Sequence, residues 1–203
     1  GRVGVTGISD RAAQALAVEL SHVRTLDDRP LVPASLDKLA PVAVAEVQGI
    51  EGLQALMGQE VGPGEWREVT QRDIDTFADL SGDHQWIHTD VERAKTESPF
   101  GTTIAHGNLS LSLIDGLRLD LIKSTGFALG VNYGWNKVRF PAPVPAGSRV
   151  RATAEIVSLD EIGEGWYQQV TRFIVEVEGN EKPCCVADSV GRAIEILDRH
   201  GLL

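Results

Sequence analysis

The stretch GNLSLSLIDGLRLDLIK, from Gly107 to Lys123, decides the fold. Its apolar residues Leu109, Leu111, Leu113, Ile114, Leu117, Leu119, Leu121 and Ile122 fall around most of the circumference of a helix. A helix that is apolar on nearly every side must be surrounded by other elements. Four stretches dense in β-branched and aromatic residues follow it: Gly130 to Phe140, Ser148 to Leu159, Trp166 to Glu178 and Cys184 to Leu197. These are predicted strands. Gly147, Gly163 to Gly165 and Gly179-Asn180 separate them, which predicts an antiparallel meander with short turns. One long buried helix followed by an antiparallel sheet makes an α+β arrangement in which the sheet wraps the helix.

Upstream, Ile50, Leu53, Leu56 and Met57 have helical spacing and stop at Gly58, a helix-terminating residue. Thr70 with Asp73 three residues later forms a capping pair, and Ile74, Phe77, Ala78 and Leu80 give the helix that follows an apolar face ending near Ser81-Gly82. Thr89 with Glu92 repeats the pattern and predicts a short helix through Ala94, leaving a loop between the two helices. Residues 1–46 differ in character: an Ala/Leu-rich helix is expected near Arg11 to Val23, and Pro30, Pro33 and Pro41 punctuate a linker. Gly4 and Gly7 near the start are too little for a dinucleotide site, which needs a second strand and a downstream acid. The expected organisation is therefore an N-terminal extension or linker over 1–46 and one folded domain over 47–203.

The 203 residues are 42% hydrophobic and 24% charged, the composition of a globular protein with a real core. A net charge of -10 repels a phosphate backbone and excludes nucleic acid as a partner. An anionic carrier needs a local cationic patch, for which Lys137, Arg139, Arg149 and Arg151 are the nearest candidates. Cys184 and Cys185 are adjacent, so their side chains diverge in a strand and they are expected to be reduced, structural thiols. No apolar stretch is long enough to span a bilayer and no secretion signal opens the chain, so a cytoplasmic protein without membrane contact is expected. The histidines are scattered, and no metal-ligand pattern is present.

The chemistry concentrates in Ser81-Gly82-Asp83-His84-Gln85-Trp86-Ile87-His88, between two predicted helices, where loop residues can point into a cleft. An imidazole exchanges protons near neutral pH, and a carboxylate can orient it or share a water with it. Spacing leaves two readings: Asp83 and His88 are a proton-transfer pair, or Asp83 caps a turn while His88 hydrogen-bonds locally.

Together with Ile104-Ala105-His106-Gly107, this segment resembles the hydratase-2 signature of the MaoC-like dehydratases. That family usually has Asn and Pro where Gln85 and Trp86 stand, and the spelling here is similar to the nodulation protein N-like subgroup. The segment NYGWNKVRFPAPVP, Asn132 to Pro145, resembles the same subgroup, and the likeness runs from about Gly52 to Leu197.

The resemblance implies a hotdog fold, a long helix wrapped by an antiparallel sheet, and a homodimer with sheets joined edge to edge. It implies that Asp83 and His88 activate one water for addition to a trans-2-enoyl thioester, giving the (R)-3-hydroxyacyl thioester. Gly107 matches the position whose N–H receives the negative charge gathering on the thioester oxygen. His106, Asn108, Asn132 and Trp86 are candidate substrate contacts. For His106 a structural hydrogen bond near the helix start is the preferred reading, while Asn108 can instead cap the helix and Asn132 can equally be a plain turn residue. The implied substrate is an acyl-CoA or acyl carrier protein thioester, and no cofactor is expected because the chain supplies both proton-transfer groups. The alternative is a non-catalytic module of a larger synthase that binds an acyl thioester or a partner.

Overall fold

Alternation of apolar and polar residues along three long strands builds the core. The computed structural model describes residues 44–196, so the helix expected near Arg11 to Val23 and the prolines Pro30, Pro33 and Pro41 lie outside the described residues. In chain order the elements are β1 (Ala45–Gln48), α1 (Gly49–Leu56), β2 (Glu60–Val61), β3 (Arg67–Val69), α2 (Gln71–Ser81), α3 (Trp86–Thr89), α4 (Val91–Glu97), α5 (Gly107–Ser112) and α6 (Ile114–Leu117). A 3-10 turn (Arg118–Asp120) follows, then β4 (Ile122–Thr125), β5 (Phe127–Arg139), β6 (Ser148–Gly163), β7 (Trp166–Val177) and β8 (Cys185–Glu195).

The main sheet is antiparallel in the order β2-β6-β7-β8-β5, with β3 also on β6. β1 and β4 pair separately and in parallel, joining Ala45 and Glu46 to Ile122 and Lys123. Val150, Ala152 and Ala154 of β6, Phe173, Val175 and Val177 of β7, and Cys185 and Ala187 of β8 face Leu109, Leu113, Ile114, Leu117 and Leu121. Each large aliphatic side chain buried here contributes about 1.5–3 kcal/mol. The architecture is the expected α+β one, a helical segment held against an antiparallel sheet.

Three expectations are corrected in detail. The sheet is a meander only over β6, β7 and β8; β5 crosses to the far edge and pairs with β8. Pro141, Pro143 and Pro145 lack donors for a tight β5–β6 hairpin. Their segment instead runs beside residues 103–105, where Ala105 N donates to Val144 O (2.8 Å) and Ala146 N to Thr103 O (3.0 Å).

The Gly107–Lys123 stretch is not one helix buried all round. It breaks at Leu113 and again into the 3-10 turn, and Ile122 belongs to β4. Leu117, Leu119, Leu121 alternate with a period of two, which one 3.6-residue face cannot bury; the 3-10 turn delivers Leu121 to the core at 0% exposure and leaves Leu119 at 66%. The exposed Asp115 pairs with Arg118 at 3.6 Å.

The four cations form no single patch. Arg149 and Arg151 on β6 are paired across the strand with Glu178 and Glu176, while Lys137 and Arg139 sit on β5, with β7 and β8 in between. Cys184 and Cys185 are free and buried as expected, and burial pushes both thiols up, Cys185 to about 12. No helix among the described residues is long and apolar enough to cross a membrane.

Candidate active site

The expected capping box forms at the start of α2. Thr70 N donates to Asp73 Oδ2 (2.9 Å) and Asp73 N to Thr70 Oγ1 (3.2 Å), and the Thr70 hydrogen bonds hold the Asp73 carboxyl below its usual range. Gly82 ends the helix at φ 77°, a left-handed conformation open to glycine. That turn sends the chain away from the α2 axis and presents Asp83. The interval beyond is not wholly loop, as expected, because Trp86–Thr89 makes the single turn α3 and carries His88. The cap of α4 is Asp90, not Thr89: its Oδ1 accepts from Arg93 N at 3.0 Å.

His88 is buried at 7% exposure, and its Nδ1 bonds the main-chain oxygen of Ile104 at 2.7 Å. A carbonyl only accepts, so Nδ1 carries the proton and Nε2 keeps a free lone pair. Burial lowers the His88 pKa, and the nearby His106 lowers it further; the Ile104 bond and Asp83 act in the opposite sense without reversing it. His88 is thus a neutral base at pH 7. Its surroundings are fixed from several sides: Gln71 Nε2 donates to His88 O (2.8 Å), Thr103 Oγ1 donates to Gln71 Oε1, and Ile104 N donates to Ile87 O (3.0 Å).

The carboxylate of Asp83 is exposed, with Oδ1 accepting from Gln85 N at 3.3 Å. His106, at 3% exposure, stacks on His88 with ring centroids 3.7 Å apart and donates from Nε2 to Asp83 O at 2.9 Å. Polar side-chain atoms of Asp83, His88 and His106 lie within 4.8 Å of one another. An Asp83 carboxylate oxygen and a ring nitrogen of His88 are therefore close enough for one water to bridge. Two histidines and a carboxylate are also metal-binding donors in kind. His106 Nε2 is committed to Asp83 O, so the nitrogen that this ring has left to offer is the buried Nδ1.

The other expected site residues separate into two groups. Gly107 follows His106 as the first residue of α5, and a Cβ there would come within 2.8 Å of the Phe140 ring, so Phe140 packing demands glycine at this position. Asn108 is exposed in the first turn of α5, where the cap residue is His106. Trp86 opens α3 and stacks on the Arg93 guanidinium at 4.2 Å. Asn132 lies elsewhere, lining a cavity of about 460 Å³ with Ile114, Leu119, Phe127 and Tyr167; Asp83 and His88 are not in that lining. His84 is exposed, 3.9 Å from the Asp79 carboxylate. Sequence reasoning missed Gln71, Thr103 and Phe140, whose contacts with the site are made across the fold and leave no local pattern.

Residues 53–177 match the family described as the MaoC-like domain. The chain is 49% identical over 147 residues to 3-hydroxyacyl-thioester dehydratase Z of Mycobacterium tuberculosis, covering 72% of this chain and 97% of that protein. It is 42% identical over 133 residues to nodulation protein N of Rhizobium leguminosarum bv. viciae, covering 65% of this chain and 83% of the relative. Among solved structures it is similar to an R-hydratase from Pseudomonas aeruginosa, with a TM-score of 0.53, 26% identity, and coverage of 68% of this chain and 82% of that one. With its fold and most of its described length in agreement, the chain belongs to the MaoC-like family of hotdog dehydratases and hydratases.

Proposed function

We propose that this chain catalyses the reversible hydration of trans-2-enoyl thioesters to (R)-3-hydroxyacyl thioesters. The observation that carries the proposal is the closeness, within 4.8 Å, of the Asp83 carboxylate and the neutral His88 imidazole. In the hydration direction the water oxygen bonds to C3 of the enoyl group while the pair takes one of its protons. The C2–C3 double-bond electrons move toward the thioester carbonyl, and C2 then receives a proton from the same pair. Atoms and charge balance without a redox step, so the two side chains suffice and no cofactor enters.

The transient negative charge on the thioester oxygen needs a donor, and a general-acid or oxyanion contact of this kind is worth about 10²–10³ in rate. Gly107 N–H, at the first position of α5, has no acceptor within its own helix and stands beside His106. His106 and Asn108 flank Gly107 along the chain, Trp86 begins the α3 turn that carries His88, and Asn132 borders the separate cavity. The carrier is coenzyme A or an acyl carrier protein.

A homodimer joined through β5 belongs to the same proposal. β5 is a 13-residue edge strand of the main sheet, and Leu129, Val131 and Tyr133 on it are 50%, 41% and 60% exposed. A long apolar edge of this kind is a ready pairing surface. Sedimentation should give twice the chain mass, and Val131→Asp should shift the protein toward monomer; a wild-type chain that sediments as a monomer at micromolar concentration contradicts the pairing.

The test of activity is loss of enoyl-thioester absorbance with crotonyl-CoA across pH. His88 acts as base only when neutral, and its pKa lies below the usual value of about 6.5. The rate is therefore expected to be flat through neutral pH and to fall on the acid side with a midpoint below that value. Binding without turnover across a range of acyl lengths would instead identify a non-catalytic thioester-binding module.

A further inference from the structure

We infer that His106 is a positioning residue that holds the Asp83 main chain and the His88 ring in one fixed relation. The inference rests on the function proposed above. Asp83 sits in an exposed turn after left-handed Gly82, and apart from His106 its bonds are weak: Asp83 N to Ser81 Oγ and Gln85 N to Asp83 Oδ1, each 3.3 Å. Contacts that long leave the carboxylate-bearing loop poorly defined. The bond from His106 Nε2 to Asp83 O, 2.9 Å and 23 residues distant in sequence, is the strong tether.

The same ring covers one face of His88 at 3.7 Å, and Phe77 packs against it at 5.1 Å. Because His106 is also the cap residue preceding α5, with its carbonyl accepting from Ser110 N at 3.1 Å, it ties the loop, the α3 turn and the α5 terminus together. At 3% exposure it does this from beneath the surface, where substrate reaches it less readily than it reaches Asp83. The arrangement also fixes its tautomer: Nε2 must carry the proton to reach a carbonyl, and the buried Nδ1 has no hydrogen-bond partner among the described residues.

Two substitutions separate the tether from the stack. His106→Phe keeps a ring against His88 and removes the donor; His106→Gln keeps a donor near the Nε2 position and removes the ring. Misplacement of a reacting group by about 1 Å costs on the order of 10²-fold. His106→Phe is therefore expected to lower kcat on crotonyl-CoA about 10²-fold with KM unchanged. His106→Gln is expected to recover most of that kcat and to move the midpoint upward, because His88 loses cover on one face. Wild-type kcat in His106→Phe, or a kcat in His106→Gln no better than in His106→Phe, overturns the assignment. If His106→Phe fails to fold, His106→Gln decides alone, with the upward midpoint as the expected result and an unmoved one against it. Retained turnover in Asp83→Asn and His88→Ala is a separate outcome, which removes the proposed function itself.

Discussion

Asp83→Asn and His88→Ala are each expected to lower the hydration rate of an enoyl thioester by about 10²–10⁴. The size follows from the loss of a positioned proton-transfer group, and the two variants should differ in their side effects. Asp83 is exposed and its carboxylate accepts only a long hydrogen bond, from Gln85 N, so the isosteric Asn should leave the melting temperature where it is. His88 is buried and bonded to Ile104 O at 2.7 Å, so Ala strands that carbonyl and costs about 1–3 kcal/mol of stability. Rates have to be measured well below the melting transition of His88→Ala. Near-normal turnover in both variants removes the catalytic assignment.

The second large effect concerns stability. Arg151 and Glu176 are 8% and 7% exposed, paired across β6 and β7, and the Trp66 ring lies 4.3 Å from the guanidinium carbon. Glu176→Ala leaves the Arg151 charge buried without its counterion, which costs about 3–5 kcal/mol. In a domain of this size that corresponds to a melting temperature lower by roughly 10 °C. Exchanging both partners for apolar residues of similar volume should restore most of the loss, because the penalty comes from the stranded charge more than from the missing attraction. Glu178→Ala, which disrupts the half-exposed pair with Arg149 in the neighbouring position, is expected to change melting little. Equal melting of the wild type and Glu176→Ala contradicts the account of this pair.

The strands were legible because their signals are local. β-branched density and glycine punctuation place β6 at Ser148 and β7 at Trp166, the residues where the observed strands begin. The capping box at Thr70 and Asp73 was legible for the same reason. What escaped depends on distance along the chain. The pairing of β5 with β8 is decided by where a proline-rich connection is anchored, and that anchor at residues 103–105 is invisible in strand propensity. The break in the Gly107–Lys123 stretch shows tertiary packing overriding helical pattern: Leu121 reaches the core only by leaving α-helical geometry.

At the site, the eight-residue motif named Asp83 and His88, and its resemblance to a known signature selected one of two open readings. Periodicity gave no access to the stack of His106 on His88 or to the bond from His106 to Asp83 O. At Gly107 the structure supplies a reason for glycine that the sequence did not offer: a side chain there collides with Phe140 whether or not substrate is present. Asn132 shows the reverse, since the fold sends it to a cavity that Asp83 and His88 do not line.

The central claim is that one carboxylate and one imidazole work as a single unit on a single water, and a kinetic double-substitution cycle addresses it most directly. Residues acting as a unit are strongly non-additive, because removing one leaves the other with little to do. The Asp83→Asn/His88→Ala double variant should therefore hydrate crotonyl-CoA about as fast as the slower single variant. A double variant slowed by the product of the two single losses would contradict the claim.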